Sequence, residues 1–208
     1  MSAAPTKDGR LSRSEQTRAA LLTAAADAFA DKGYGGTALS TIYKAAGANA
    51  AAISYHFGGK RALYDAVLAD SGARFKRLFD TMFDPELFDD VERLVERVWG
   101  RIRAESTHAR IVLRAVLDDG APPESVAWMR REQLPDICAR VAPPLGVTPY
   151  ALHMLVISMN LLASRFAVVD DAELCALTGQ PTVDDANRAV VAQITILIRG
   201  WLHQARQP

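Results

Sequence analysis

Cysteine is scarce in this chain of 208 residues: Cys138 and Cys175 stand far apart, at no metal-binding or redox spacing. A disulfide-stapled domain is excluded, and two free buried thiols in a reducing cytoplasm are expected. No apolar run approaches the ~20 residues of a membrane span; the best candidate is broken by His153, Ser158, Asn160 and Arg165. The opening stretch MSAAPTKDGRLSRSEQTR is polar and lacks the apolar core of a secretory leader. A cytoplasmic protein with no membrane partner is therefore expected. Glycine-rich phosphate loops, nucleophile elbows and metal-binding cysteine patterns are also missing. One Glu105-x-x-His108 pair has the i, i+3 spacing of a di-iron bundle, but such a site needs a second copy and two further glutamates. None of His56, His153 and His203 has a glutamate three positions before it. No catalytic residue, metal or cofactor is assigned, and a helical-bundle enzyme is kept only as the alternative.

What is present is ordinary in bulk and uneven in detail. Half of the residues are apolar, 23% are charged, and Lys plus Arg balance Asp plus Glu at 24 each. Residues 1–80 nevertheless hold 11 basic against 7 acidic side chains, leaving the remainder equally negative. That asymmetry points to an N-terminal part facing an anion.

The periodicity is helical almost throughout, so an all-α fold is expected. Ser12 and Glu15 form a capping box ahead of Leu21, Ala25, Ala28 and Phe29, with Gly33 as the stop. Leu39, Ile42 and Ala46 mark a two-turn helix ended by Gly47. Asn49 can cap a third helix with inner face Ala50, Ile53 and Phe57, ended by Gly58 and Gly59. A longer helix runs from Lys60 through Leu63, Val67, Phe75, Leu78 and Met82 to the break at Pro85. Two short helices joined at Gly47-Ala48 make a helix-turn-helix, completed to a three-helix core by the first helix.

At about 100° per residue, Ile53 and Phe57 set the buried side of the third helix and send Ala51, Ala52, Tyr55 and His56 outward. On the second helix, Ser40, Thr41 and Lys44 point outward by the same arithmetic. Small residues let a helix sink into a groove, while Tyr, His, Ser and Lys can hold phosphates. Lys60 opens the next helix, where free N–H groups already favour an anion.

The stretches AAADAFADKGYGGTALSTI and KAAGANAAAISYHFGGKRALYDAVL resemble the N-terminal domain of the TetR family of bacterial transcriptional regulators. The matching positions are Phe29, Gly33, Tyr34, Thr37, Ala46, Gly47, Tyr55, His56, Phe57, Lys60 and Leu63, about a quarter of the chain. The resemblance implies phosphate contacts from Tyr55, His56 and Lys60, and a capping or contact role for Thr37. Ser54, Tyr43, Asn49 and Ala50 depart from the family pattern. With alanines at 50 to 52, no long side chain there can make a bidentate base contact. Base discrimination is expected from Ser40, Thr41, Lys44, methyl contacts of the alanines and DNA shape. The expected contact set is thus Thr37, Ser40, Thr41, Lys44, Asn49, Ala51, Ala52, Tyr55, His56 and Lys60.

The expected organisation is a flexible basic tail (1–13), a helix-turn-helix domain (14–60), a connecting helix (61–84) and a ligand-binding and dimerisation bundle (85–208). Its helices are expected near 86–104, 107–118, 123–142 (kinked at Pro135), 149–169 and 183–206. The last two are apolar on nearly every side and need a second subunit to cover them. A homodimer through these helices agrees with the family resemblance, as does a repressor that leaves a near-palindromic double-stranded operator on binding an unknown small-molecule effector. Pocket candidates are Trp99, Arg103, Met129, His153, Met159, Asn160 and Arg165. A C-terminal domain that only dimerises is the remaining alternative.

Overall fold

In a computed structural model, residues 7–82, 90–120, 123–128 and 133–205 are described. Eleven helices and no strand occur among them: α1 (Lys7–Gly36), α2 (Leu39–Ala45), α3 (Ala50–Phe57), α4 (Lys60–Met82), α5 (Val91–Ala104), α6 (Ser106–Asp119), α7 (Glu124–Trp128), α8 (Leu134–Leu145), α9 (Pro149–Ala167), α10 (Asp171–Thr178) and α11 (Val183–Ala205). The all-α expectation holds. The chain forms two compact units, Met1–Ser71 with Arg110–Pro123, and Gly72–Ala109 with Glu124–Pro208.

The first unit is built on one apolar cluster. Leu21, Ala25 and Phe29 of α1 meet Ile42 of α2, Ile53 of α3, and Leu63 and Val67 of α4. Ile111 and Ala115 of α6 are buried in the same cluster, so the expected border at residue 85 is corrected: part of α6 completes the N-terminal core. The cause is not local, since the period of α6 says that it has an apolar face and not what that face meets. Arg114 of α6 adds a polar tie, its Nη2 donating to the Asp31 carbonyl at 2.8 Å. α1 starts at Lys7, ahead of the Ser12 capping box and within the stretch expected as a flexible tail. Its regular course ends at Gly33, whose φ of 68° a side chain would strain.

The second unit holds two clusters. Val95 and Trp99 of α5 pack with Ala163 and Ala167 of α9, Leu174 of α10, and Val190 and Ile194 of α11. Leu134, Ile137, Cys138 and Ala142 of α8 pack with Leu152 and Leu155 of α9. Burial pushes the Cys138 thiol pKa up, as for an inert core thiol. Three expectations change in this unit. Pro135, expected to kink a longer helix, lies in the first turn of α8, where a missing N–H costs no bond. Pro143 and Pro144, expected to separate helices, sit inside the end of α8, which Gly146 closes. The helix α10 was not anticipated; Asp170 caps it by accepting from Glu173 N at 2.8 Å, and buried Leu174 anchors it. Pro85 lies outside the described residues.

Candidate nucleic-acid interface

The turn between α2 and α3 is made by local hydrogen bonds that the sequence specifies. Gly47 N donates to the Lys44 carbonyl at 3.1 Å and Ala48 N to the Tyr43 carbonyl at 2.8 Å. This double closure needs a left-handed residue at its corner, and Gly47 supplies it with φ 63°. Asn49 then caps α3 as expected, its Oδ1 accepting from Ala52 N at 3.0 Å. At the far end, Gly58 ends α3 and Lys60 begins α4.

The outward face carries Thr41, Lys44, Asn49, Ala51 and Tyr55, with Ser40, His56 and Lys60 half-buried beside them. Tyr55 is 81% exposed, the most exposed of the large apolar side chains described. Its ring meets His56 edge-on at 4.9 Å. The inner face of α3 differs by one position from expectation: Ala50 is exposed, while Ala52 packs against the core beside Ile53 and Phe57. Ala52 lies about 100° round from Ile53, and that flank, not the Ala50 flank, meets the neighbouring helices. Ala52 thus presents only part of its methyl outward.

Thr37 is corrected more fully. It is 2% exposed, and its hydroxyl faces the carbonyls of Ala28 at 3.0 Å and Gly33 at 2.7 Å. It fastens the end of α1 internally, and the N-cap of α2 is Ala38, with no side-chain bond.

Residues outside the expected set hold the surface in place. The Lys60 ammonium lies 4.7 Å from the centre of the Tyr34 ring, and the Arg61 guanidinium 5.9 Å from both Tyr34 and Tyr64. Tyr34 is itself fixed against Tyr64 at 5.1 Å, and Tyr64 against buried Phe29 at 5.0 Å. The Tyr64 phenol pKa is raised by burial and by the nearby Asp119 and Asp118 carboxylates, so it stays neutral. An aromatic shelf therefore carries two cations at the start of α4. Arg18 of α1 lies over the Phe57 ring at 5.0 Å, adding a third cation near the end of α3. The Gly33-Tyr34 pair near the end of α1 was the visible signal for the shelf; Arg18 had none, because its partner is distant in sequence.

The expected pocket residues do not converge. Trp99 is buried and donates Nε1–H to Asn187 Oδ1 at 2.9 Å. Arg103 donates to the carbonyls of Ala167 at 3.2 Å and Val169 at 2.8 Å and pairs with Asp171, closing the end of α9. Both side chains, expected as pocket candidates, serve as ties between helices. Met159 packs against both apolar clusters of its unit. Asn160 and Arg165 are exposed, Arg165 standing 4.0 Å from Glu173. His153 lines a shallow groove of about 390 Å³ with Cys138, Tyr150 and Met154. Met129 lies outside the described residues. Glu105 of the di-iron alternative is paired with Arg74, and no trio of His, Cys, Asp or Glu side chains suited to a metal occurs among the described residues.

Comparison with known proteins bears on this geometry. The model of bacterial regulatory proteins of the tetR family matches residues 21–67, the stretch holding most of α1, α2, α3 and the start of α4. An HTH-type transcriptional repressor of Mycobacterium tuberculosis is 32% identical over 104 residues, covering 50% of this chain and 48% of that one. An HTH-type transcriptional regulator of Mycobacterium bovis matches equally. The chain thus spans about half the length of the curated relatives it matches. A Streptomyces coelicolor protein shares the fold at TM-score 0.64 and 20% identity, over 87% of this chain and 97% of that one. A TetR-like transcriptional regulator from Rhodococcus does so at TM-score 0.61 and 19% identity, over 88% and 96%. A TetR-family transcriptional regulator from Pectobacterium atrosepticum is 26% identical at TM-score 0.50, over 95% and 97%.

Proposed function

We propose that this chain, whose residues 21–67 match the model of the tetR family of bacterial regulatory proteins, is a cytoplasmic, dimeric, sequence-specific DNA-binding repressor of that family, released by a small molecule. The observation that carries the reading is the capped α2–α3 pair with small residues on its outer face and cations held at its far end. Ala51 and its neighbours let α3 approach base edges closely and offer methyl contacts to thymine. Lys44, Tyr55, His56 and Lys60 grip flanking phosphates, with Arg18 and Arg61 added to that set. The sequence preference then rests on Ser40, Thr41, Lys44 and the deformability of the site. The domain plan follows the two compact units, with α4 as the connecting helix.

The dimer is proposed through α9 and α11. By length and composition α9 could cross a membrane, which corrects the expectation that no apolar run comes near a span, and only 22% of its apolar stretch is buried within the protein. Tyr150, Met154 and Leu161 on α9, and Ile196 and Leu197 on α11, are left exposed. A second copy covers these residues; His153, Asn160 and Arg165 along α9 speak against lipid. Two recognition helices about 34–36 Å apart would then read a near-palindrome.

The test is selection of bound fragments from a random DNA pool at moderate salt. A recovered near-palindrome with half-sites one turn apart is expected; no motif, with binding only at low salt, would overturn sequence-specific reading. Lys60→Ala should weaken binding about tenfold on every sequence and lower the log–log salt slope by about 0.9. Tyr34→Leu should lose part of the same affinity while Tyr34→Phe retains it, since the ring face and not the hydroxyl holds the ammonium. A loss confined to one base position would remove the phosphate role.

A further inference from the structure

We infer that the arginines between α4 and α5 form a receptor for a small organic dianion, a dicarboxylate or a phosphate monoester. A cleft of about 190 Å³ is lined by Arg74, Arg77 and Leu78 of α4 and by Arg101, Ala104 and Glu105 at the end of α5. Three guanidinium groups thus share one concavity with a single carboxylate. Arg74 Nη1 meets both Glu105 oxygens, at 3.3 and 3.4 Å. Arg77 and Arg101 are exposed and have no carboxylate partner among the described residues. Glu105 stands four positions after Arg101, where it would ordinarily pair with it, but is turned to Arg74 instead. The residue four before Arg101 is Arg97, of the same sign.

Like charges gathered around one hollow repel unless an anion joins them. A helix C-terminus accounts for Arg101, which complements the α5 dipole. It does not account for Arg77, set inside α4. Two guanidinium forks with no carboxylate partner among the described residues match two carboxylates, or the oxygens of one phosphate. Leu78 and Ala104 supply the apolar part of the wall. The volume lies below the roughly 300 Å³ at which drug-sized ligands begin, so the ligand has few carbons.

The cleft has a path to the fold. Glu105 closes α5 through its backbone N–H and directly precedes α6. A dianion that also engages Arg74 competes with Glu105. α6 carries Ile111 and Ala115 in the N-terminal core, and Arg114 on the Asp31 carbonyl. Release of DNA through that competition would rest on the proposed function; the binding itself does not.

The experiment is titration calorimetry on the full chain without DNA, with succinate and glycerol 3-phosphate as probes and acetate and succinamide as controls at equal ionic strength. Saturable binding of one probe per chain is expected. Arg77→Gln and Arg101→Gln should each weaken it about tenfold without changing the melting temperature of the free protein. Arg188→Gln, whose guanidinium pairs with Asp185 elsewhere, should change nothing, and Glu105→Gln should tighten binding by removing the competing carboxylate. Binding of succinate alone makes the ligand a dicarboxylate; binding of glycerol 3-phosphate alone makes it a phosphate monoester. Saturation by neither, equal binding of acetate, or binding that survives the double variant overturns the site. A chain that selects an operator but binds neither probe overturns the cleft and leaves the DNA reading intact. Probes that bind without releasing the operator support the cleft and overturn its regulatory role. A chain that binds a probe but selects no operator overturns the DNA reading alone.

Discussion

Leu161→Glu combined with Ile196→Glu should convert the purified protein from a dimer to a monomer and lower its operator affinity by about a hundredfold or more. Leu161 is 69% exposed on α9 and Ile196 64% exposed on α11, large apolar side chains left facing water in the single chain. Covering them in a symmetric dimer brings each substitution in twice, so four carboxylates would be stripped of water without partners. The linked second half-site contributes effective concentration, and losing it costs about 10²- to 10⁴-fold with no change in any DNA-facing residue. Helical content should be unchanged, because neither side chain belongs to a core cluster. Size-exclusion chromatography with light scattering, followed by operator titration, checks both effects. A variant that stays dimeric would place the interface on another face, and a monomer with undiminished affinity would remove the dimeric reading of DNA.

Gly72→Ala should destabilise the fold by about 2–3 kcal/mol, against the ordinary rule for helices. Replacing a helical glycine by alanine usually stabilises by about 1 kcal/mol. At Gly72, however, a Cβ would lie 2.2 Å from the Ser125 carbonyl oxygen and 2.8 Å from its carbonyl carbon. Both are backbone atoms of α7, so no side-chain rotation relieves the clash, and α4 and α7 must separate. Gly100, inside α5, has open space around its would-be Cβ. Gly100→Ala should therefore stabilise by up to about 1 kcal/mol. Urea unfolding of the two variants beside the parent chain measures the difference, and the signs should be opposite. If Gly72→Ala matches Gly100→Ala, the close approach of α4 to Ser125 is absent.

The legible part of this protein is the part made by short-range bonds. Asn49, Gly47 and Gly58 act on atoms only a few residues away, so the turn, the caps and the two short helices could be read from residue type and spacing. The outward position of Thr41, Lys44, Ala51 and Tyr55 followed from the same period. Period alone ranked Ala50 and Ala52 wrongly, because which flank of a helix is covered depends on what packs beside it. The family resemblance implied a capping or contact role at α2 for Thr37, whose hydroxyl instead bonds internally to the Ala28 and Gly33 carbonyls.

Charged and aromatic residues were the hardest to place, for a physical reason. A long side chain on a helix can reach many partners, and the chosen partner is set by where other helices lie. Arg103 and Trp99, read as pocket candidates, are ties between α5 and residues far along the chain. Arg18 and Lys60 find ring faces on other helices. Arg74 and Arg77 of the cleft are neighbours of Arg101 only because α4 and α5 both line it.

By itself, then, the sequence determined an all-helical chain, its helix-turn-helix and the polar and small residues along that module, because backbone capping and helical period act within a few residues. Tertiary structure alone decided that α6 completes the N-terminal core, that Tyr34 carries Lys60, and that Arg77 and Arg101 share a hollow with Arg74 and Glu105. Those pairings depend on helix-to-helix placement, which apolar burial fixes and no local pattern records.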